Sequence, residues 1–446
     1  MKSKWCLLLL NLTFFSFALL LVSAKAGPLP SFPGAEGFGA VTPGGRGGRV
    51  IKVTNLNPDG PGSLQAACDA AEPRIVVFDV SGVIDGDVVI RHGKISIMGQ
   101  TAPGGGITIK GMLNCEAPRG EKIEDIVVRF LRVRPDSNET LNQQGDAIRF
   151  SSARRVMIDH CSTSWASDET IDVFTADDVT VQWCTVEDGD TSGHEEGVHN
   201  YGLIQGPNGH RITVHHTLFA HQKRRCPAVA NGPADVVNNV VYNFRDGFLH
   251  DNRVNDKTFN IVGNYYKRGP DDPQIFPFCF RDGYYFLRDN FIDGLGLVQD
   301  PWREAERHPG LAYYADRYGN RAPEPAETPP VTTHTPQQAY AQVLDQAGAF
   351  PRDFITVRCI EEVKTGTGTW GRRAIPDLMR GLTPTQPPKD SDNDGMPDGW
   401  EKANGLDPGS GTDHKTVMAT GYTAIEEYCN MMAARLIVTR DSLQKK

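Results

Sequence analysis

The sequence predicts an all-β chain wound into a parallel β-helix. Two observations carry this expectation. Between about residues 90 and 295, short β-rich strings recur: Lys94-Ile-Ser-Ile-Met-Gly, Glu124-Asp-Ile-Val-Val-Arg, Val156-Met-Ile-Asp-His-Cys, Val179-Thr-Val-Gln-Trp-Cys, Ile212-Thr-Val-His-His-Thr, Ala234-Asp-Val-Val-Asn-Asn, Phe259-Asn-Ile-Val-Gly-Asn and Tyr285-Phe-Leu-Arg-Asp-Asn. Their starts lie 22 to 33 residues apart, which suits one coil per repeat with the longer intervals looped out on one face. A β-sandwich would show turn signals roughly every 8–12 residues instead. The second observation is the sixth position of the strings, which reads Cys161, Cys184, Thr217, Asn239, Asn264 and Asn290 from the third string on. Three asparagines at one register suggest an amide ladder inside a bend. Cys161 and Cys184 would then lie one above the other, bonded or merely stacked.

The elements follow in chain order. Residues 1–26 read as a secretory signal: Lys2 and Lys4 are followed by a nearly apolar run from Cys6 to Val22 and the small-x-small site Ala24-Lys25-Ala26. That run is at the short limit for a membrane span. The Gly-rich stretch from Phe32 to Gly48 lacks the Gly-Lys-Ser/Thr ending of a phosphate loop and reads as tight turns at the start of the solenoid. Gly62-Ser-Leu-Gln-Ala-Ala begins a short helix suited to capping the open coil stack. The solenoid is expected over 27–320. An extended wrap with a short helix, Gln337–Gly348, fills 321–385. A C-terminal segment, 386–446, follows.

Composition limits the function. The net charge of −9 argues against a general polyanion binder such as a nucleic-acid protein. An anionic substrate therefore needs a local basic patch or a metal. No later stretch is apolar enough to cross a bilayer, so no membrane partner is expected, and the chain is expected to act as a monomer. Eight cysteines follow the signal: Cys68, Cys115, Cys161, Cys184, Cys226, Cys279, Cys359 and Cys429. Secretion would permit disulfides, but the number fixes no pairing. No CxxC pair is present, which disfavours zinc. Asn138-Glu-Thr is a glycosylation sequon.

Two groups of residues carry chemistry. In Asp390-Ser-Asp392-Asn-Asp394-Gly395-Met396-Pro-Asp398-Gly-Trp-Glu401, oxygen ligands fall at loop positions 1, 3, 5, 9 and 12, with glycine at 6 and the Met396 carbonyl at 7. Pro387 and Pro388 exclude an entering helix, so this is expected to be an isolated, structural Ca2+ loop. The second group is Asp146, Asp168 and Asp172, placed between successive strings, with Arg225 after the next. If coils stack, three aspartates could share one cation, since hard oxygen ligands suit calcium. Lys223 and Arg224 add positive charge beside Arg225.

Gly145-Asp146-Ala-Ile-Arg149, Ile158-Asp159-His160, Asp168-x-x-x-Asp172, Val179-Thr-Val, Arg225-x-Pro227 and Val237-Asn-Asn-Val-Val-Tyr resemble the pectate lyases of polysaccharide lyase family one. The likeness spans roughly 30 to 300. It extends, in a secreted subgroup beginning Phe-Pro-Gly-Ala-Glu-Gly-Phe-Gly, to Ala339–Gly368 and the acidic loop. The resemblance implies a right-handed coil and a calcium-dependent β-elimination on polygalacturonate or a related uronate polysaccharide. It implies Asp146, Asp168 and Asp172 as calcium ligands and Arg225 as the base. An additional family acid falls at Gln144, a uronate-contacting lysine near Asn200 with His199 beside it, and a second arginine at Ala230. His199, Asn200, Lys223 and Arg224 are thus expected at the substrate. Two other readings of the same scaffold are a glycoside hydrolase using Asp168 and Asp172, which would leave Arg225 without a role, and a non-catalytic polysaccharide-binding protein.

Overall fold

The computed structural model describes residues 27–135, 145–250, 257–281, 283–300, 302–303, 312–313 and 320–443. The expected signal segment, the Asn138 sequon and Gln144 lie outside the described residues. Each coil contributes one short strand to each of three sheets. The coil beginning at Ala153 shows the plan: Ala153–Asp159 in the first sheet, Ser162–Ser164 in the second, Glu169–Asp172 in the third, then Asp177–Gln182 back in the first. The three sheets hold 11, 10 and 9 strands. Neighbours are parallel throughout, except that the last two strands of the second sheet, Asn290–Ile292 and Gly296–Val298, pair antiparallel. This is the parallel β-helix expected from the repeats, and all eight strings lie in the first sheet. Two earlier coils, starting at Arg49–Val53 and Arg74–Phe78, precede the first string.

Apolar rows fill the coil interior. In the first sheet Val156 stands over Val179 and Ile212, and Ile158 over Val181 and Val214. In the second, Val186, Phe219, Val241 and Tyr266 align. In the third, Ile148, Ile171 and Leu203 align. These side chains are buried in one cluster, and each fully buried aliphatic contributes about 1.5–3 kcal/mol. Helix Leu64–Asp69, capped by Ser63 Oγ, buries Leu64, Ala67 and Cys68 against the end of this core.

The bend from first to second sheet holds a left-handed residue in seven successive coils: Phe130, His160, Trp183, His216, Asn238 and Asp289 have φ between 49° and 56°, and Gly263 has φ 66°. Such a conformation costs a non-glycine residue about 1–2 kcal/mol. In three of these coils the next residue is an asparagine, Asn239, Asn264 or Asn290, whose carboxamide ties the bend to its neighbours. Asn264 Nδ2 donates to Val236 O (2.9 Å) and Asn290 Oδ1 (3.0 Å), while its Oδ1 accepts from the backbone N–H (2.9 Å) and Nδ2 (3.1 Å) of Asn239. The amide ladder is therefore present. Below it the Cys161 N–H faces Cys184 Sγ at 3.4 Å; the two cysteines stack without a bond, and all eight described cysteines are free and buried.

The Gly-rich segment does not stop at the first coil. It runs along the outside of the first sheet, with backbone N–H groups of Gly45, Gly39 and Phe38 donating to Ser96, Thr180 and Thr213 hydroxyls. At Gly39 a Cβ would come within 2.2 Å of Val156 O, so only glycine allows this approach.

The C-terminal residues cover two sheets. Helices Pro336–Gln346 and Phe354–Thr365 place Val343, Leu344, Ile360 and Val363 against Leu218, Val240 and Tyr242 of the second sheet. Met396 and helix Ala424–Leu443 pack Ile425, Tyr428 and Cys429 on Ile75, Val77 and Met98 of the first. Among the described residues, none from the C-terminal segment joins the apolar cluster on the third sheet, formed by Ile204, Ala228, Leu249, Phe276 and Cys279.

Candidate active site and cation sites

The third sheet positions the site. Arg149 pairs in register with Asp172, Glu169 with Tyr201, and Tyr201 with Arg224 across an isolated bridge. Adjacent parallel strands lie about 4.8 Å apart, so residues 20 to 30 positions distant in sequence become neighbours.

Asp146, Asp168 and Glu169 each offer a carboxylate oxygen, all within 4.8 Å of one another. Glu169 was not anticipated, although it lies inside the string read as Asp168-x-x-x-Asp172. Asp172 is not in that set. Its Oδ1 accepts from the Phe174 N–H at 2.6 Å, and its Oδ2 lies 3.6 Å from Arg149 Nε, which also stands 3.5 Å from Asp146 Oδ2. Burial, and then the neighbouring Asp172 charge, push the Asp146 carboxyl well above the usual range. Burial likewise raises Asp172. A cation would relieve both effects, and the all-oxygen set fits a hard ion such as calcium.

Arg225 reaches this group from the next coil. Its Nη1 is paired with Glu169 Oε1, and its guanidinium lies over the Tyr201 ring, 4.3 Å from the centroid. Its left-handed backbone, φ 60°, turns the chain at this point. Arg224 pairs with Asp246 at 2.6 Å. Lys223 is half-buried, and its backbone N–H donates to Asn200 O. His199 Nδ1 is 2.7 Å from Asp168 Oδ1, and the ring stacks between His194 and Tyr201. Asn200, expected at the substrate, is instead fully buried; its Oδ1 accepts from the Lys223 N–H, which places it beneath the arginine loop. Ala230 is also fully buried. Tyr201 was missed because a lone tyrosine in a strand looks like core.

A second carboxylate group lies in the C-terminal loop. Asp392, Asp394 and Glu401 gather there with Asp413. Burial raises Asp394 and Glu401 to about 7 each. Asp390 and Asp398 are engaged elsewhere. Asp390 Oδ2 accepts from Lys52 Nζ and the Gly395 N–H, both at 2.9 Å, while Asp398 takes Lys389 and Ser391. Met396 presents its side chain to the core. A third group, Asp188, His221 and Glu362, is an ion-pair network closed by Arg358 and Arg373.

Comparison with known proteins places this geometry in a class. The fold superposes on a thermostable pectate lyase, PL 47, with a TM-score of 0.51 at 14% identity, covering 71% of this chain and 97% of that one; this likeness concerns the fold alone. No family model matches. Over 438 residues the chain is 34% identical to a probable pectate lyase C of Aspergillus terreus, covering 95% of this chain and 98% of that one. It is 33% identical over 443 residues to a probable pectate lyase C of Aspergillus fumigatus, covering 95% and 97%. A β-helical polysaccharide lyase is the class these likenesses define. Within it, the chain belongs to the pectate lyase family. No described helix is long and apolar enough to cross a membrane.

Proposed function

We propose that the protein is a secreted, calcium-dependent enzyme that cleaves (1→4)-α-D-galacturonan by β-elimination, releasing 4,5-unsaturated oligogalacturonides. The observation that carries this reading is Arg225, brought across the coils onto Asp146, Asp168 and Glu169. Acid–base hydrolysis, by contrast, would give Arg225 no proton-transfer role.

Asp146 and Asp168, with Glu169 in reach and Asp172 adjoining, would hold the cation. Bound there, calcium would neutralise the substrate carboxylate and make the hydrogen on the neighbouring carbon more acidic. Arg225, as the neutral guanidine, takes that proton, the C4–C5 double bond forms as the C4–O bond breaks, and the leaving oxygen takes a proton from solvent water. Arginine's ordinary pKa, about 12.5–13.8, makes it a poor base in water. Glu169 bears on this directly. While it pairs with Arg225 it favours the charged guanidinium; a cation held there would compete for the same carboxylate and weaken that preference. Tyr201 supports the guanidinium from below, and His199 orients Asp168. Lys223 and Arg224 line the approach for an anionic chain.

The signal segment, residues 1–26, would direct export. The loop Asp390–Glu401 would bind a second, structural calcium.

Digestion of polygalacturonate tests the reading. Expected are products with the ultraviolet absorbance of a conjugated double bond, no activity in chelator, and recovery with added calcium. Saturated reducing ends would show a hydrolase, and no cleavage a binding protein.

A further inference from the structure

The carboxylates at the C-terminal loop are in an unusual state. One oxygen from each of Asp392, Asp394, Glu401 and Asp413 lies within 4.8 Å of the others. Glu401 is fully buried, and neither of its carboxylate oxygens has a hydrogen-bond partner. Asp394 is 3% exposed with Oδ2 unpartnered, and Asp392 Oδ2 and Asp413 Oδ1 are unpartnered too. Buried ionised oxygens require a compensating charge. His414 Nδ1 lies 3.9 Å from Asp394 Oδ2, too long for a hydrogen bond.

We infer that Asp392, Asp394, Glu401 and Asp413 hold one hard divalent cation, and that Asp413 completes the site from outside the twelve-residue loop. This rests on the reading of that loop as a cation site and changes its ligands. Asp390 and Asp398 serve the loop's own shape and its attachment, through Lys52, Gly395, Lys389 and Ser391.

The position gives the cation a function. It joins the loop to the 3-10 turn Asp413–Lys415, which precedes helix Ala424–Leu443. The loop itself is tied to the first coils. Lys52 bridges Asp390 and Asp79, at 2.9 and 2.8 Å, and Met396 packs with Ile75 and Val77. At Gly395, with φ 92°, a Cβ would meet Val50 Cγ1 at 2.7 Å. The cation thus clamps three stretches of the tail over the first sheet.

Calcium titration of the full, metal-stripped chain tests this in an Asp168→Asn background, which removes the ion assigned to the catalytic site. That parent should still bind one calcium. Adding Asp413→Asn should weaken binding at least tenfold, whereas adding Asp398→Asn should change it less than threefold. Trypsin cleavage after Lys402 and Lys415 should slow with calcium in the parent and not in the Asp413→Asn variant. Asp413 Oδ2 accepts from the Asp407 N–H at 2.9 Å, a bond that an asparagine oxygen can keep; losing the charge relieves repulsion among the clustered carboxylates, so the metal-free Asp413→Asn chain should melt no lower than its parent. Unchanged binding in Asp413→Asn would overturn the assignment, as would loss of binding in Asp398→Asn alone. An Asp168→Asn chain that binds no calcium would overturn it while leaving the catalytic reading to the turnover assay.

Discussion

Arg225 combines a left-handed backbone, a carboxylate partner and an aromatic support in one side chain. Lysine at this position keeps the positive charge but not the planar fork that meets Glu169 and Tyr201 together. Arg225→Lys should lower kcat by about 100-fold or more, the range lost with a positioned proton-transfer group, while circular dichroism is unchanged; near-normal turnover would remove Arg225 as the base. Asn264 shows the same economy in the core. Its carboxamide makes four hydrogen bonds within the ladder. Asn264→Ala leaves buried partners unsatisfied and should destabilise the protein by about 1–3 kcal/mol, measured by denaturant unfolding. A change within error would mean that the neighbouring coils close the gap.

Among the elements, the C-terminal loop has the most distinctive pH behaviour. Burial raises Asp394 from 3.8 and Glu401 from 4.5 to about 7. The folded chain therefore binds protons more tightly than the unfolded chain between about pH 4 and 7. Stability from these two groups falls as pH rises through that window, and the cost is fully present above about pH 7. Calcium takes the ionised forms. The calcium-induced rise in melting temperature should thus be larger at pH 8 than at pH 5, and Glu401→Gln should reduce the difference. A rise that is independent of pH would sink this account. The third sheet is the complementary case: its strands are as short as two residues at Ile148–Arg149 and Ala228–Val229, and the site is built where loops run into its strands, with Asp168 just before and Glu169 and Tyr201 as first strand residues.

For the molecule as a whole, covering the solenoid depends on a buried charge cluster. Arg134 Nη2 lies 2.8 Å from Asp353 and 3.1 Å from Glu187, with all three side chains buried. Asp353 also caps helix Phe354–Thr365. The Arg134 guanidinium, together with that of Arg132, holds the Asp353 carboxyl below its usual range despite burial. Removing one partner of such a group leaves uncompensated charge, so Arg134→Ala should cost about 3–5 kcal/mol. Proteolysis should then release the C-terminal helices before the coils unfold. Release without loss of the coils would show that the solenoid is stable alone; simultaneous loss would show that the cover is part of its core.

The coil repeat, the amide ladder, the acidic loop and the Arg-x-Pro element were all legible in the sequence, because each is a local pattern. β-rich strings mark strands wherever they pair, and a twelve-residue loop carries most of its own oxygen ligands. What the sequence could not show was contact between coils and between chain ends. Glu169 and Tyr201 enter the site only through the register of the third sheet. Asn200 is buried, with its Oδ1 bound by the Lys223 N–H of the next coil. Asp413 meets Glu401 only because a helix and a turn fold back on the loop. A parallel coil converts distances of 20 to 30 residues into one strand spacing, about 4.8 Å. Charge, burial and hydrogen bonding act over that shorter distance, so the tertiary structure decided which acids gather together and which are tied to other partners.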